Sequence, residues 1–565
     1  MNEFLINPFD NNHFIGYVSF VSPGLVKVHF PSSILLKMFN YGGEQNSPGM
    51  VGSYVAIEGD NFGFLGKIME VSLPEKERLE LNENSFHTEE FHPIGQVEIL
   101  LCFDFYNRQV KKGINQLPTV GAKVFICSGQ TFADFFKNVG VKENEKNIPA
   151  LFNMGKLNLD NVTEVKVSSQ SIFARHCAVI GTTGGGKSYT IARIIEEFLN
   201  HNGKAILIDA SGEYNKFDNN LTIQTSTITL DSFFHFSNLT IGDYFILLRP
   251  SAQSQKPKLL EAMKSLKLIR CLDENEMKTV KVDNGVLIKE KMSDAIKNNF
   301  KQLCEKYVAT IESIDANFDI EKLSSQIEAE CINTYGNKDD KTLEFCSSLI
   351  IRINGLLSNE NFKKVLGFNK DKTDVLELRN QIENFINDPE KKLLRINLEY
   401  VYGEFQLREI LVNALGKYLL EKARKKSFKE KPLVLFLDEA HQFLNKSVKD
   451  EFFDFVSLDS FDLIAKECRK YGLFLVLATQ MPRDIPLGTL SQLGTFIVHR
   501  LINDRDKEVV ANACQEANKS VLSFLPILSE GEAIIMGVDI PMPIIIKINK
   551  PAFEPDSETP IAVRN

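Results

Sequence analysis

The sequence lacks a Cys-x-x-C pair, a long apolar run and a signal-peptide leader, and each absence excludes one class of protein. Its nine cysteines are scattered, so their spacing indicates neither a disulfide framework nor a zinc site. No apolar stretch approaches the roughly 18 residues that a membrane span needs. The first residues do not have the basic and then apolar layout of a secreted protein. We therefore expect a cytoplasmic protein with no membrane association.

The length and composition describe a soluble protein of several domains. A chain of 565 residues is too long for one ordinary core, which predicts about two to four domains. The content of 43% hydrophobic and 25% charged residues is typical of soluble globular proteins. The net charge of −9 argues against a surface that coats nucleic acid everywhere, but it permits DNA binding through a local basic lining.

Residues 1–135 are rich in short β-type segments that are separated by turn residues. Alternating or continuous β-branched runs bounded by Gly, Pro and Asn predict a small N-terminal β-barrel. The predicted strands are Ile15–Phe20, Leu25–Phe30, Ser53–Ile57, Gly63–Val71, Ile94–Phe103 and Ala122–Ile126.

Residues 136–253 and 393–548 are predicted to form an α/β core. Apolar strands alternate there with amphipathic helices, which is typical of a parallel, doubly wound sheet. Continuous apolar runs are expected where strands are covered on both faces. The candidate strands are Ala205–Asp209, Leu433–Leu437, Phe474–Ala478 and Thr495–Val498.

The composition of the remaining segments predicts an insertion and a C-terminal tail. Residues 254–392 are rich in Lys, Glu and Asn with helical periodicity, for example over Met292–Ile311. They predict a helical insertion whose charges form a solvated face. Residues 549–565 have few anchors and are predicted either to be loose or to pack on a neighbour.

Residues 181–188 read Gly-Thr-Thr-Gly-Gly-Gly-Lys-Ser, which is a phosphate-binding loop of the form G-x-x-x-x-G-K-S. His176–Ile180 reads as a buried strand, and Tyr189–His201 has helical spacing. Glycines between a strand and a helix let backbone N–H groups surround a triphosphate, and the helix N-terminus attracts anions. The residues predicted to bind the nucleotide are Gly181, Thr182, Thr183, Gly184, Gly185, Gly186, Lys187, Ser188 and Tyr189.

This loop and a second, acidic strand end predict individual roles with ATP and Mg²⁺. Lys187 is expected to reach the β- and γ-phosphates, and Ser188 is expected to bind Mg²⁺. The apolar strand Leu433–Leu437 ends in Asp438 and Glu439. We expect Asp438 to hold Mg²⁺ and Glu439 to activate the attacking water.

Residues 438–441 spell Asp-Glu-Ala-His, which suggests a superfamily 2 helicase that acts on RNA. Asp438 lies 251 positions after Lys187 (438 − 187), far beyond the usual separation in those helicases. Their second motor domain is also not recognisable in the sequence. The spacing therefore argues against this alternative.

Polar residues at two further strand ends each have two interpretations. Gln480 either senses the γ-phosphate or holds the water, or it is an ordinary turn residue. Arg500 either inserts into a neighbour's nucleotide site as an arginine finger or forms a salt bridge with Asp504 or Asp506.

The segment Asp209–Tyr214 (DASGEY) follows a third strand and also has two interpretations. Asp209 lies at the strand tip, where it either approaches the catalytic Mg²⁺ or water, or caps the turn that Gly212 permits.

These motifs together resemble the HerA branch of the FtsK–HerA ATPases. The set comprises GTTGGGKS, DASGEY, LDEAHQFL, AKECRKYG, ATQMPRDI, HRL and LSEGEAIIMG, in the family's order over residues 170–548. The β-rich start is similar to the small HAS-type barrel that precedes the motor in that family. The resemblance implies a RecA-like ATPase core and an ATP-hydrolysing enzyme. The sequence departs from the family at Gly185, commonly Ser, and at Asp438, often Glu.

The resemblance also implies a homohexameric ring that uses ATP to move double-stranded DNA through its pore, as a translocase or helicase. Arg175 matches an arginine that the family places near a neighbour's nucleotide, which makes it a second finger candidate beside Arg500. Arg469 falls in a family segment that faces the nucleotide or the interface. Lys446 and Lys449 are candidates for pore contacts, with a solvated helix face as the alternative.

The resemblance implies a partner enzyme, and because the sequence has no recognisable nuclease or NADase motif of its own, DNA cleavage would have to come from that partner. HerA-like motors are typically paired with a nuclease of the NurA kind. Some bacterial members look like halves of antiphage systems whose other half is a sirtuin-like NADase or a nuclease. The alternative function is therefore an ATPase scaffold that activates its partner. We expect the partner to dock on the phenylalanine-rich barrel.

Overall fold

The computed structural model describes residues 7–41, 44–75, 91–104, 110–111, 116–127, 133–141, 148–158, 161–313, 317–333, 335–444, 447–448, 456–514 and 519–556. The chain forms two compact units. Residues 1–203 together with 474–565 form the first unit, and residues 204–473 form the second. The domain boundaries expected from composition stay a prediction.

A closed, six-stranded antiparallel barrel lies in the N-terminal part of the first unit. Its strands and their neighbours are β1 (Phe14–Ser22), β2 (Leu25–His29), β3 (Phe39–Tyr41), β4 (Glu44–Asn46), β5 (Tyr54–Ile57), β6 (Phe62–Ser72), β7 (Ile94–Asp104), β8 (Val110–Lys111) and β9 (Lys123–Cys127). The barrel order is β2-β1-β9-β5-β6-β7, and pairing of β2 with β7 closes it. All six strands predicted for this region are confirmed. Closure pairs the two strands that would otherwise be edges.

The strands that follow the barrel belong to both units, and those in the first unit form a mixed sheet. The strands that follow the barrel are β10 (Leu151–Leu157), β11 (Glu164–Ser168), β12 (Cys177–Ile180), β13 (Lys204–Asp209), β14 (Ile223–Thr227), β15 (Val282–Asp283), β16 (Val286–Leu287), β17 (Leu393–Asn397), β18 (Leu433–Leu437), β19 (Ser447–Val448), β20 (Val456–Ser457), β21 (Leu473–Thr479), β22 (Thr495–Val498), β23 (Glu532–Gly537) and β24 (Ile544–Ile548). In the first unit the order is β11-β10-β24-β23-β22-β12-β21. Strand β12 is parallel to β21 and β22, whereas β22 to β24, β10 and β11 pair antiparallel.

The prediction of parallel pairing is therefore confirmed for β12 and its two neighbours, whereas the strands beyond β22 pair antiparallel. Six residues separate β23 from β24. A parallel crossover needs a dozen residues or more, and a connection as short as this one therefore makes an antiparallel hairpin.

In the second unit, the strands β18, β13, β17 and β14 are all parallel to their neighbours. Every residue of β17 and β18 is buried, as expected for strands covered on both faces. Because the strands are parallel, the residues that follow β13, β17 and β18 lie along one edge.

The described residues also form helices. They are α1 (Ala133–Lys137), α2 (Ser169–Phe173), α3 (Lys187–Asn200), α4 (Ile241–Leu248), α5 (Gln255–Cys271), α6 (Glu274–Thr279), α7 (Asp294–Lys306), α8 (Val308–Ile311), α9 (Leu323–Glu330), α10 (Asp340–Ser358), α11 (Glu360–Leu366), α12 (Leu378–Asn387), α13 (Leu407–Arg424), α14 (Ser460–Glu467), α15 (Leu487–Leu490), α16 (Asp504–Ala513) and α17 (Lys519–Leu522). Helices α5 to α12 confirm the helical character of the predicted insertion. Within the described ranges, no helix combines the length and apolar character needed to cross a membrane.

Candidate nucleotide-binding site

The phosphate-binding loop connects β12 to α3 in the first unit. Gly184 and Gly186 have φ values of 73° and 104°, which glycine adopts without steric cost. Gly186 also occupies the N-cap position, so no side chain caps α3. Lys187 is the first helical residue and is only 7% exposed. A helix N-terminus without a side-chain cap, preceded by glycines, is the arrangement that binds phosphate.

The loop packs closely against the chain that follows β22. A Cβ atom at position 181 would lie 2.7 Å from the Cβ of His499, so glycine is required there. Thr182 donates both its backbone N–H and its hydroxyl to the carbonyl of Arg500, each at 3.2 Å. On the far side, the N–H of Gly531 donates to the carbonyl of Gly185 at 3.3 Å. These contacts fix the position of the loop at the carboxyl end of the parallel strands.

Gln480 contacts this loop directly. It follows β21, which is parallel to β12, so both strand ends reach the same edge. The hydroxyl of Thr183 donates to Oε1 of Gln480 at 2.6 Å. This bond uses the amide oxygen and leaves the NH₂ group as a donor. The geometry favours a phosphate-sensing role over an ordinary turn residue, and that role stays a prediction.

His499 lies beneath the loop, fully buried at the end of β22. Its Nδ1 is 2.8 Å from the carbonyl of Glu532, and because a carbonyl only accepts, Nδ1 carries the proton. Its Nε2 then accepts from the hydroxyl of Thr190 in α3, also at 2.8 Å. Burial, together with the smaller effect of the nearby charge of Lys187, lowers the pKa of His499 to about 4. The ring is therefore neutral at physiological pH.

Arg500 is exposed at the same edge. The salt bridges offered as its alternative role are not present, because Asp506 pairs with Arg483 at 3.2 Å and Asp504 pairs with Lys507 at 2.7 Å. Within the part of the chain that the structure describes, no ion pair involves the side chain of Arg500. Its role as a finger stays a prediction.

Arg175 lies at the opposite end of β12 from the loop. The four residues of the strand separate the two ends by about 13 Å at ~3.3 Å each. Nε of Arg175 lies 3.4 Å from Oδ2 of Asp539. A Cβ atom at Gly494 would lie 2.3 Å from the Cβ of Arg175, which shows how closely the arginine is packed. Arg175 does not reach the loop of its own chain.

The side chain of Tyr189 faces the C-terminal tail. Its hydroxyl donates to Oε2 of Glu554 at 3.4 Å. The N–H of Ala552 donates to Oε2 of Glu196 at 3.3 Å. The tail was expected either to be loose or to pack on a neighbour. Its described part, up to residue 556, instead packs on α3 of its own chain.

In the second unit, β18 leads into the predicted catalytic carboxylates. Asp438 is 2% exposed, and its N–H donates to the carbonyl of Ile208 at 3.2 Å. Glu439 has φ 46° and ψ 45°, a left-handed conformation that side chains other than glycine rarely adopt. Its Oε2 lies 3.2 Å from Nδ1 of His441. Such backbone strain is typical of functional sites. The roles of Asp438 and Glu439 toward the loop stay a prediction.

Asp209 caps its own turn, as the second of its two interpretations proposed. Its carboxylate accepts from the N–H groups of Gly212 at 2.8 Å and Tyr214 at 3.2 Å. Arg395 of β17 completes the group, with Nη2 2.8 Å from Asp209, and also pairs with Asp218 at 2.8 Å. Asp209 and Arg395 are both fully buried. Asp209 is thus held in a structural ion pair.

Replacement of Arg395 by methionine is expected to destabilise the protein by about 3–5 kcal/mol, because it leaves the charge of Asp209 buried without its partner. Urea unfolding followed by far-UV circular dichroism measures the change. The control is Lys425→Ala, which removes an exposed pair with Glu421 and is expected to cost less than about 1 kcal/mol. A cost below about 1 kcal/mol for Arg395→Met would show that the pair is not structural.

Two features of the first and second units were not predicted from the sequence. No role was predicted for His499. Its position directly after a buried strand and beside a finger candidate was a signal that it lies near the nucleotide site. Arg395 stands inside the apolar run of β17, and a charge in such a run indicates a buried partner.

Three further candidates from the sequence are not part of the loop. Arg469 lies exposed in a short helical turn, Cys468–Tyr471. The pore candidates Lys446 and Lys449 lie outside the described residues.

The site defines a class of protein. A glycine-rich loop between a buried parallel strand and a helix that starts with lysine is typical of P-loop nucleotide-binding proteins. The positive-φ glycines and the helix start without a side-chain cap fit the phosphates of a nucleoside triphosphate.

Comparison with known families identifies the branch of this class. The chain matches the family described as "Helicase HerA, central domain" over residues 152–396 and the one described as "Helicase HerA-like C-terminal" over residues 415–550. Together these matches span more than half of the chain. The chain belongs to the HerA family of the FtsK–HerA superfamily of P-loop ATPases, and it is an ATP-hydrolysing enzyme. The family resemblance of the motifs is confirmed.

Relatives of similar length support this assignment. "Probable helicase MJECL08" of Methanocaldococcus jannaschii is 28% identical over 446 residues, which cover 76% of this chain and 74% of the relative. "DNA double-strand break repair helicase HerA" of Saccharolobus solfataricus is 24% identical over 520 residues, with 89% and 88% covered. Among solved structures, VirB4 of Thermoanaerobacter pseudethanolicus is similar with a TM-score of 0.46 and 12% identity, over 74% of this chain and 99% of that one.

Proposed function

We propose that this protein is an ATP-driven translocase or helicase that acts on double-stranded DNA. The observation that carries the proposal is the phosphate loop, where Lys187 begins a helix without a side-chain cap and Gln480 bonds to Thr183. Membership of the HerA family supports the DNA substrate, since several relatives are named as DNA double-strand break repair helicases. ATP is the nucleotide and Mg²⁺ the metal that these residues would hold.

The proposed chemistry divides between the loop and the acidic strand end. The loop and Lys187 would bind the β- and γ-phosphates, and Ser188 and Asp438 would be ligands for Mg²⁺. When bound, the metal would supply positive charge that neutralises the phosphate oxygens. Glu439 accepts a proton from the attacking water, and Gln480 orients that water or the γ-phosphate.

The direct test compares nucleic acids as activators of ATP hydrolysis. Double-stranded DNA is expected to stimulate the rate, and the stimulation is expected to weaken with salt because backbone contacts release counterions. Displacement of a third strand from a DNA triplex in the presence of ATP measures movement along the duplex. Stimulation by RNA without stimulation by DNA would overturn the proposal.

We further propose that the active form is a homohexameric ring in which neighbours complete each site. The supporting observation is the position of Arg175 at the end of β12 that lies away from its own loop. An arginine so placed acts on a nucleotide only if that nucleotide is bound by another subunit. Arg500, at the same edge as the loop and without an ion pair among the described residues, is the other candidate.

Mixing two inactive variants tests this arrangement. Arg175→Ala is expected to reduce hydrolysis by about 10³-fold, the loss typical of an arginine finger. Lys187→Ala is expected to reduce it by about 10²- to 10³-fold, the loss typical of removing one preorganised contact. Co-assembled subunits are expected to regain part of the activity, because the Lys187→Ala subunit lends its Arg175 to the intact loop of its neighbour. A second mixture, of Arg500→Ala and Lys187→Ala subunits, is compared with the first and identifies which arginine acts between subunits. No recovery in either mixture would contradict a shared site.

The barrel is the proposed docking surface for a partner enzyme. It exposes large apolar side chains, with exposed fractions from 41% for Tyr17 to 64% for Met38, namely Tyr17, Phe20, Met38, Met50 and Val51. The partner is a nuclease of the NurA kind, or a sirtuin-like NADase or nuclease of an antiphage system. Co-purification with the neighbouring gene product, with Phe20→Ser as the variant expected to weaken it, tests the docking. Full partner activity with Lys187→Ala would favour the scaffold alternative.

A further inference from the structure

We propose that His499 is a positioning residue for ATP: its side chain holds the phosphate-binding loop and the start of α3 in the shape that accepts the phosphates. The inference rests on the proposed binding of ATP. It assigns a role to the first residue of the His-Arg-Leu motif, which the proposed chemistry leaves unused.

The ring joins two elements that flank the loop. Its protonated Nδ1 donates to the carbonyl of Glu532 at the start of β23, and its Nε2 accepts from Thr190, three residues into α3 from Lys187. His499 and Thr190 are both fully buried, so water does not replace either bond. The position of α3 relative to the sheet is therefore set through this imidazole.

The ring also supports the loop by direct contact. Cβ atoms built at three loop positions would meet His499 at 2.7 Å for Gly181, 3.5 Å for Gly185 and 3.3 Å for Gly186. The nearest atom of His499 is its Cβ at positions 181 and 185 and the ring atom Cε1 at position 186, so the backbone of the loop packs against the whole side chain. The side chain of His499 is thus a surface on which the loop is shaped, and the next residue, Arg500, holds Thr182 through its carbonyl.

A loop without this support is expected to sample other conformations before ATP arrives. The apparent affinity then falls by the fraction of time that the loop is competent to bind. The neutral state of the ring matters as well, because a second positive charge beside Lys187 would repel the lysine from its place in the loop. A positioning role therefore predicts a defect in nucleotide binding that is larger than any defect in the chemical step.

The experiment measures the Kd for a fluorescent ATP analogue, the KM and kcat for ATP, and the Tm without nucleotide. His499→Phe keeps an aromatic ring and removes both hydrogen bonds, and Thr190→Val removes the donor alone. Thr190→Val is expected to raise Kd and KM by about fivefold to tenfold, the worth of one buried hydrogen bond. His499→Phe, which loses two bonds, is expected to raise them by at least as much, and kcat is expected to change less than threefold in either variant. The double variant is expected to be no weaker than His499→Phe, since the two share one bond.

Rescue distinguishes positioning from ordinary core packing. His499→Gln, whose amide oxygen can accept from Thr190, is expected to bind ATP within about threefold of the wild type. Wild-type Kd and KM in folded His499→Phe and Thr190→Val would overturn the inference, even if the Tm fell. If His499→Phe does not fold, Thr190→Val decides alone. A wild-type protein that binds no ATP would overturn the proposed function as well, which separates the two failures.

Discussion

Replacement of Lys187 by alanine is expected to reduce ATP hydrolysis by about 10²- to 10³-fold, the loss typical of removing one preorganised electrostatic contact. Lys187 begins α3 directly after Gly186, and only 7% of it is exposed. A buried ammonium group at a helix N-terminus makes strong, charge-assisted bonds to phosphate oxygens. Alanine keeps the helix and removes that charge, so nucleotide binding is expected to weaken together with turnover.

Steady-state hydrolysis with and without double-stranded DNA, and the Kd for a fluorescent ATP analogue, measure this effect. The control is again Lys425→Ala, whose lysine is exposed and paired with Glu421 on the surface of α13. It removes the same charge and is expected to leave both quantities unchanged. DNA-stimulated hydrolysis that survives in Lys187→Ala would show that the loop is not the catalytic nucleotide site.

Replacement of Glu439 by glutamine is expected to separate binding from hydrolysis. Glutamine has nearly the same shape but cannot take a proton from water, and a general base contributes about 10²- to 10⁴-fold to the rate. Glu439 is held in a left-handed backbone conformation beside His441, and the glutamine is expected to keep that geometry. ATP should therefore bind with an affinity near that of the wild type and then remain unhydrolysed.

Single-turnover hydrolysis and nucleotide affinity, measured on the same sample, test this separation. Glu421→Gln is the matched control, because it makes the same chemical change at an exposed pair on α13. A wild-type rate in Glu439→Gln would exclude the residue as the base. A loss of affinity equal to the loss of rate would instead indicate that Glu439 is needed to bind the nucleotide.

Much of the fold followed from local patterns. The six barrel strands were predicted because each is a β-branched run that ends at turn residues. Closure of the barrel pairs these strands and does not change where they begin and end. Helix α3 was predicted over Tyr189–His201 and spans Lys187–Asn200. The outer part of the mixed sheet was not predicted. The strands β10, β11, β23 and β24 contain short apolar runs whose direction depends on which neighbour they meet.

Contacts over long distances in the chain bear on the alternatives that the sequence left open. Asp209 has two interpretations until Arg395, 186 positions later, is seen to pair with it. Gln480 accepts a hydrogen bond from Thr183, 297 positions away, and its role as a sensor stays a prediction. Patterns of hydrophobicity and turn residues report on near neighbours and carry no information on such pairs.

By itself, the sequence determined the loop of residues 181–188, the acidic strand end at Asp438 and the family to which the chain belongs. Each depends on residue types at fixed local spacing, because the backbone from strand to loop to helix is short. Only the tertiary structure decided what lies beneath the loop. His499 meets Thr190 across 309 positions, since parallel strands bring remote segments to one edge of a sheet. That edge, rather than the motif alone, gives the phosphate-binding loop its shape.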